Sequence, residues 1–386
     1  MALNTYFPAA FRYVVLLAPV ALTGCTFLED LYSGSAGAER PEPVPLEDRP
    51  VEEPISRNYF VLETATQSVV GTPQIVYTDA ENTLSDLARE YGLGYDEIVA
   101  ANPDVNPWLP GDRTPVLLPT QYVLPDVPRE GIVLNIASKR LFYFPPVAEG
   151  EPQTVLTYPI GIGRVGWETP VGTTEVVSKA VDPHWYVPAS VRREHAEMGN
   201  ELPSVVPPGP DNPLGSRVLK LAMPGYLIHG TNQPYGVGMR VSHGCVRLYP
   251  ENIEALYSLV GTGETVRIIN EPYLLGSRDG ELYFEAHAPL EDDTIPAEER
   301  LQSLLENGEA AEGLGEKDAA HLSYLASLAD GVPALVDQRD AQEVLARARV
   351  IRNTVEADPN APTLTEVREL MDEAMAEEPE DEEKDL

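Results

Sequence analysis

The chain has 386 residues, 43% of them hydrophobic, and a formal net charge of −35. The length and apolar content suit two folded domains with accessory segments. The strong negative charge argues against binding DNA or RNA through phosphates, so nucleic acid is not an expected partner.

The N-terminal residues have the pattern of an export signal. Residues 11–23 are mostly apolar, which is too short for a transmembrane helix but suits the core of a signal peptide. The stretch ends in Leu22-Thr23-Gly24-Cys25, which resembles the lipobox of bacterial lipoproteins. That resemblance implies removal of residues 1–24, lipidation of Cys25 and a periplasmic protein anchored to an envelope membrane, expected to be the outer membrane. An ordinary secretory signal is the alternative.

Residues 25–57 and 58–124 differ sharply in composition. The first segment alternates prolines with acids and has no apolar period, which predicts an extended linker. The second predicts a strand, a helix beginning after Thr83, a short helix from Tyr95 to Ala101 and a strand from Pro115 to Pro119. This order resembles a LysM module, which implies binding to glycans that contain N-acetylglucosamine. A purely structural spacer is the alternative.

Residues 125–275 predict a mostly β domain. Ile132 to Ile136 alternate in polarity and are followed by the strand-like Leu141 to Phe144, which indicates a hairpin. A helix is predicted from Pro250 to Val260, and Thr265 to Ile269 predict a closing strand.

The residues most suited to chemistry are a cysteine and two histidines within this β domain. If Cys25 is lipidated, Cys245 is the only free thiol, and a nearby imidazole is the usual means of removing its proton. Gly244 places no side chain beside the sulfur, so that backbone N–H groups can approach a substrate carbonyl. Zinc binding by two histidines and a cysteine is the rival reading, but no CxxC or HExxH motif accompanies them, so we expect no metal and no cofactor. The runs concerned are His229-Gly230-Thr231-Asn232, Gly236-Val237-Gly238-Met239-Arg240-Val241 and Ser242-His243-Gly244-Cys245-Val246-Arg247.

These runs resemble the active-site signature of the L,D-transpeptidases with a YkuD-type catalytic domain, and most closely the ErfK/YbiS-like branch. The resemblance implies that Cys245 is the nucleophile, His229 the general base and the Gly230 carbonyl its orienting partner, while His243 shapes the pocket. Arg247 is a candidate for binding a stem-peptide carboxylate, with a structural ion pair as the alternative. The remaining candidate substrate contacts are Ser242, Thr231 and Asn232. The implied fold class is α+β, with a β-rich, sandwich-like catalytic domain after a small βααβ domain.

The resemblance also implies a reaction. Cys245 attacks the third residue of a peptidoglycan stem peptide, D-alanine leaves, and the diaminopimelate acyl group passes to an amine. The acceptor is a lysine of an outer-membrane lipoprotein or a second stem. The alternatives are a hydrolytic carboxypeptidase or amidase of the same fold, and a catalytically degenerate scaffold that binds peptidoglycan.

Residues 276–386 form a predicted acidic, partly helical tail. From residue 291 onward there are 27 acidic and 8 basic residues, and residues 377–385 have the composition of a disordered segment. Apolar spacing predicts helices around Leu301, around Leu322 and from Val344 to Val355. The tail contains no catalytic motif, so truncation near Ala288 is expected to leave the chemistry intact.

Overall fold

The protein has an α+β fold rich in strands, as predicted. The computed structural model describes residues 44–55, 58–148, 150–311, 314–338 and 343–356. The predicted signal peptide, Cys25, most of the linker and the acidic end at 377–385 lie outside these residues. Across the described ranges, no helix combines the length and apolar character needed to cross a membrane.

A small βααβ module forms the N-terminal part of the fold, as predicted. Its outer strands pair antiparallel, with Ile75 opposite Leu117, and its two helices bury Leu87 and Ile98. Thr83 begins the first helix in a capping box, because it exchanges hydrogen bonds with Asp86 at 2.9 and 3.1 Å. The elements in this part are β1 (Tyr59–Val61), β2 (Val69–Gly71), β3 (Gln74–Tyr77), α1 (Leu84–Glu90), α2 (Tyr95–Ala100), β4 (Pro115–Leu118) and β5 (Gln121–Val123).

A nine-stranded sheet dominates the second part and follows the order β1-β8-β7-β6-β17-β10-β13-β14-β16. The predicted hairpin is present, with Leu134 opposite Leu141. The helix after the cysteine buries Ile253 and Leu256 in the core that lies against this sheet. The elements are β6 (Gly131–Asn135), β7 (Arg140–Phe144), β8 (Thr154–Pro159), β9 (Ile162–Gly163), β10 (Gly172–Val181), β11 (Trp185–Tyr186), α3 (Ala189–Glu197), β12 (Val205–Val206), β13 (Arg217–Leu221), β14 (Leu227–His229), β15 (Arg240–Ser242), β16 (Val246–Arg247), α4 (Pro250–Leu259) and β17 (Thr265–Ile269).

The module and the large sheet are joined by strands and by a buried ion pair. β1 is the first strand of the N-terminal part, yet it pairs with β8 at the edge of the large sheet, with Phe60 opposite Val155. Arg140 of β7 is 1% exposed and bonds both carboxylate oxygens of Glu97 in α2, at 3.0 and 2.6 Å. A buried bidentate pair fixes geometry strongly, since removing one partner leaves an uncompensated charge.

The C-terminal part is folded rather than a simple tail. A hairpin is extended by a short third strand and covered by two helices that bury Leu301 and Leu322. The boundary expected at 275/276 falls inside the first strand of this hairpin. The elements are β18 (Tyr273–Arg278), β19 (Glu281–Ala286), α5 (Ala297–Asn307), α6 (Glu316–Leu328), β20 (Ala334–Leu335), α7 (Glu343–Arg347) and β21 (Arg349–Ile351).

The prediction of one helix from Val344 to Val355 is wrong. The helix ends at Arg347, and β21 then pairs parallel to β3 of the N-terminal module, with Val350 opposite Ile75. Ile351 is 1% exposed within the module's core. These apolar residues have helical spacing but form a strand, because the open edge of β3 offers backbone N–H and C=O groups that only a strand can pair with.

The first prediction concerns this strand. Ile351→Ala should lower the free energy of unfolding by about 2–5 kcal/mol, because it leaves a cavity in the module's core. The matched control is Leu345→Ala in α7, whose side chain is 38% exposed and should change stability by about 0.5 kcal/mol or less. Urea unfolding measures both. Equal effects would mean that β21 is not part of the module's core.

Candidate active site

The site is organised by the parallel pairing of β14 with β16. Ile228 lies opposite Val246, and both are buried in the core on one face. Because side chains alternate along a strand, His229 and its register partner Arg247 lie on the other face. Cys245 immediately precedes β16 and is two residues from Arg247, so the same alternation places it on that face. The sequence-predicted nucleophile and base are thus on neighbouring strands.

A left-handed turn at Gly244 presents the cysteine. Gly244 has a φ of +97°, and a Cβ there would come within 3.0 Å of a Tyr226 ring atom and 3.3 Å of the Glu168 carbonyl oxygen. Both the backbone conformation and the lack of space therefore require glycine. The Gly244 carbonyl accepts a hydrogen bond from Thr169 Oγ1 at 2.9 Å, which holds the turn against the neighbouring loop.

Ser242 and Thr231 stabilise the backbone of the site. Ser242 is 1% exposed; its Oγ accepts from the Gly244 N–H at 3.1 Å and donates to the Cys245 carbonyl at 2.6 Å. Thr231 is 4% exposed and its Oγ1 accepts from the Gln233 N–H at 2.9 Å. These hydrogen bonds hold the turns of the site, and the role of both side chains as substrate contacts stays a prediction. Asn232 is exposed.

His229 is held as a neutral imidazole. It is buried, and its Nδ1–H donates to the Gly230 carbonyl at 2.6 Å. Burial, aided by the nearby Arg247 cation, lowers the pKa of His229 to about 3, although backbone hydrogen bonds act in the opposite direction. In this tautomer Nδ1 carries the hydrogen, so Nε2 is the nitrogen that can accept a proton.

The Cys245 thiol is protonated at rest. Burial raises its pKa, while a backbone hydrogen bond from Leu227 and the Arg247 cation act in the opposite direction. Its Sγ lies 3.7 Å from the Gly225 carbonyl, a suitable acceptor for an S–H group. A neutral thiol beside a neutral imidazole is a pair from which the proton must move before or during attack.

His243 bonds to a helix outside the catalytic run. Its Nε2 lies 2.8 Å from Glu194 Oε2 in α3, and the Trp167 ring meets it edge-on with 4.9 Å between ring centres. The pKa of His243 is lowered mainly by burial, with the Glu194 carboxylate partly opposing this. Residues 243 and 244 form a bend, and the alternation of side chains along β15 does not continue through the Gly244 turn.

Arg247 is a half-buried cation beside both reactive groups. Its backbone N–H and C=O pair with Gly161 at 2.9 and 2.8 Å, which fixes the strand. Burial lowers the pKa of its guanidinium, and its buried Nε has no hydrogen-bond partner among the described residues. The described part of the chain also brings together no group of three or more histidine, cysteine or acidic side chains suited to hold a metal ion.

Asp292 of the C-terminal part supports the site, although no sequence motif marks it. Arg240 of β15 donates from Nε to the Gly163 carbonyl at 3.2 Å and from Nη2 to Asp292 Oδ2 at 2.9 Å. Its hydrogen bond lowers the pKa of Asp292. Since β15 leads directly into the turn that carries Cys245, this ion pair fixes one side of the site. Arg240 belongs to a recognised run, but its partner lies in an acidic stretch without a motif.

Comparison with known proteins identifies the family of this chain. The model of the YkuD L,D-transpeptidase catalytic domain matches residues 129–268. The probable L,D-transpeptidase YcfS of Escherichia coli K12 is 37% identical over 296 residues, which cover 75% of this chain and 91% of that protein. The probable L,D-transpeptidase YbiS of the same organism is 42% identical over 235 residues, which cover 60% of this chain and 75% of that protein. The solved catalytic domain of the Enterococcus faecium L,D-transpeptidase is 20% identical, covers 38% of this chain and all of that one, and superposes with a TM-score of 0.28. This chain belongs to the L,D-transpeptidase family.

The second prediction separates the two histidines. His229→Ala should lower the rate of D-alanine release by roughly 10²–10⁴-fold near neutral pH, because the protonated thiol loses its base. Raising the pH toward the thiol's pKa should partly restore this variant, since hydroxide then generates the thiolate that the imidazole no longer provides. His243→Ala is the matched variant and should lose less activity, without alkaline rescue. The opposite order in a pH–rate series would assign the base to His243.

The third prediction tests Asp292 as a positioning residue. Asp292→Asn should reduce kcat by about tenfold with little change in KM, because a loosened β15 misplaces the thiol without altering substrate contacts. Asp292→Glu should restore part of the loss. The control is Glu291→Gln, since Glu291 is 79% exposed in its side chain and 3.7 Å from Arg240.

The same contact revises the expectation for the tail. Truncation near Ala288 removes Asp292, so we expect the truncated chain to lose activity rather than keep it. Equal rates for Asp292→Asn, Glu291→Gln and the unaltered protein would contradict the role of this ion pair.

Proposed function

We propose that this protein is a peptidoglycan L,D-transpeptidase that forms a thioester on Cys245. The observation that carries the proposal is the placement of Cys245, neutral His229 and Arg247 on one face of β14 and β16. The names of its relatives support the same activity. The site residues are complete, which counts against a degenerate scaffold.

The first half-reaction is acylation. As the Cys245 sulfur attacks the carbonyl of the L-centre of diaminopimelate, its proton passes to His229 Nε2, and a tetrahedral oxyanion forms. The C–N bond to the terminal D-alanine then breaks, and the proton on His229 passes to the departing amine. The Gly230 carbonyl holds the imidazole in the required tautomer and stabilises its protonated form.

The oxyanion needs donors that are not already engaged. The Gly244 N–H donates to Ser242 Oγ and is therefore not free to bind the oxyanion. Gly244 supports the reaction through the backbone turn that it forms. The Cys245 N–H has no acceptor among the described residues and belongs to the nucleophile itself, so we assign it as an oxyanion donor. Arg247 supplies a fixed positive charge on the same face and suits a stem-peptide carboxylate.

The second half-reaction transfers the acyl group to an amine. An amine nitrogen attacks the thioester carbonyl and loses a proton to His229. The C–S bond then breaks, and His229 returns that proton to the departing Cys245 thiolate. The amine belongs to a second stem peptide or to a lysine of an outer-membrane lipoprotein, and water in its place gives hydrolysis. Mass analysis of muropeptides from cells with and without the protein distinguishes these three products.

The location and the accessory module complete the proposal. A lipid on Cys25 anchors the protein to the outer membrane, with the enzyme in the periplasm, where its substrate lies. The lipobox-like sequence and the composition of residues 25–57 support this arrangement. The βααβ module binds the glycan, an assignment supported by its element order. Membrane fractionation of Cys25→Ser tests the anchor, because a soluble periplasmic variant is expected.

The fourth prediction tests the nucleophile. Cys245→Ala should release no D-alanine from a tetrapeptide stem, while its circular dichroism and unfolding midpoint stay near those of the unaltered protein. A carbapenem-type β-lactam should add its mass to the unaltered protein and not to Cys245→Ala. D-Alanine release by Cys245→Ala would disprove the thioester mechanism.

A further inference from the structure

A cavity of about 550 Å³ lies where the N-terminal module meets the catalytic domain. Helix α1 forms one wall, and the start of α4 forms the opposite wall. The loop Pro234–Gly236, which follows the His229 strand, closes one end, and residues 355 and 356 form the remaining rim. The volume is within the usual range of sites for small ligands.

The walls of this cavity are fixed to each other. Arg89 of α1 bonds both carboxylate oxygens of Glu251 in α4, at 3.0 and 2.9 Å. The Tyr249 hydroxyl donates to the Leu93 carbonyl at 3.1 Å across the same junction. A cavity held by contacts of this kind exists before a ligand arrives, which lowers the entropy cost of binding.

The lining combines an exposed aromatic ring with amide side chains. Tyr235 is 66% exposed and follows Pro234, so that an apolar surface faces the cavity. Asn58 and Asn252 also line it, and the buried Asn58 Oδ1 accepts no hydrogen bond from the described residues. A ring stacks on the C–H face of a sugar, while amides bond its hydroxyl and acetamido groups.

The charges of the lining disfavour an anionic ligand. Four carboxylates and one guanidinium line the cavity, which disfavours phosphate and other anions. Three of the carboxylates have partners within the protein: Asp86 bonds Thr83, Glu90 bonds Thr354 and Glu251 bonds Arg89. The fourth carboxylate, Glu356, lies at the rim, and tetralysine therefore serves as the competing cationic ligand in the test below.

We propose that this cavity is a saccharide-binding site that holds the glycan strand of the substrate against the catalytic domain. The inference rests on the proposed function, since it identifies the substrate as a stem peptide still attached to its polysaccharide. It adds a contact point separate from the module's own exposed aromatic residue, Trp108. The loop that carries Tyr235 begins at His229, so a bound sugar also fixes the direction from which the stem enters.

Calorimetric titration with tetra-N-acetylchitotetraose tests the proposal. The full-length Cys245→Ala protein should bind this oligosaccharide, and adding Tyr235→Ala should weaken binding by about tenfold. Tyr235→Phe retains the ring and should bind as the parent does. Trp108→Ala, an exposed aromatic residue of the module outside the cavity lining, should retain measurable binding that Tyr235→Ala weakens further.

Three results would overturn the proposal. They are undiminished binding by Tyr235→Ala, no binding by the parent chain, and binding of tetralysine in place of the oligosaccharide. D-Alanine release from a sugar-free tetrapeptide by the unaltered enzyme is measured separately. If D-alanine is released but the oligosaccharide does not bind, only the saccharide-site proposal is refuted. If no D-alanine is released, the proposed function itself is refuted.

Discussion

The pairing of β14 with β16 is the constraint on which the active site depends. Two consecutive residues on each strand decide it: Ile228 and Val246 must face the core, and His229 and Arg247 must then face away from it. A register shift of one residue would bury the cation and expose the apolar side chains. The core that stabilises the domain therefore also sets which atoms meet at the thiol.

Burial shifts the pKa values of the two reactive groups in opposite directions, and both shifts favour the uncharged form. It lowers the pKa of His229 and raises that of Cys245, so that both are uncharged in the resting site. A neutral thiol is less reactive toward oxidants than a thiolate, because the thiolate is the nucleophile. Arg247 modifies this balance, since its charge favours the thiolate once the proton has left.

Local patterns were sufficient to identify the chemistry but not what supports it. Cys245, Gly244 and His229 were found because their residue types and spacing carry the reaction within short runs. Glu194 and Asp292 were missed because each is one acidic residue among many, and only the folded backbone brings them to His243 and Arg240. For β21, the apolar spacing fitted a helix as well as a buried strand, and the free edge of β3 decided between them.

The parallel addition of β21 to β3 has a consequence for how the protein is made. A strand at residues 349–351 completes a sheet whose other strands lie between residues 74 and 118. The N-terminal module is thus synthesised early yet lacks its third strand until almost the whole chain is available. Closing so long a loop costs little more entropy than closing a shorter one, but it delays the contact. Newly synthesised chains therefore pass through a stage in which the edge of β3 is open, and a chain that lacks residues 349–351 remains in that stage.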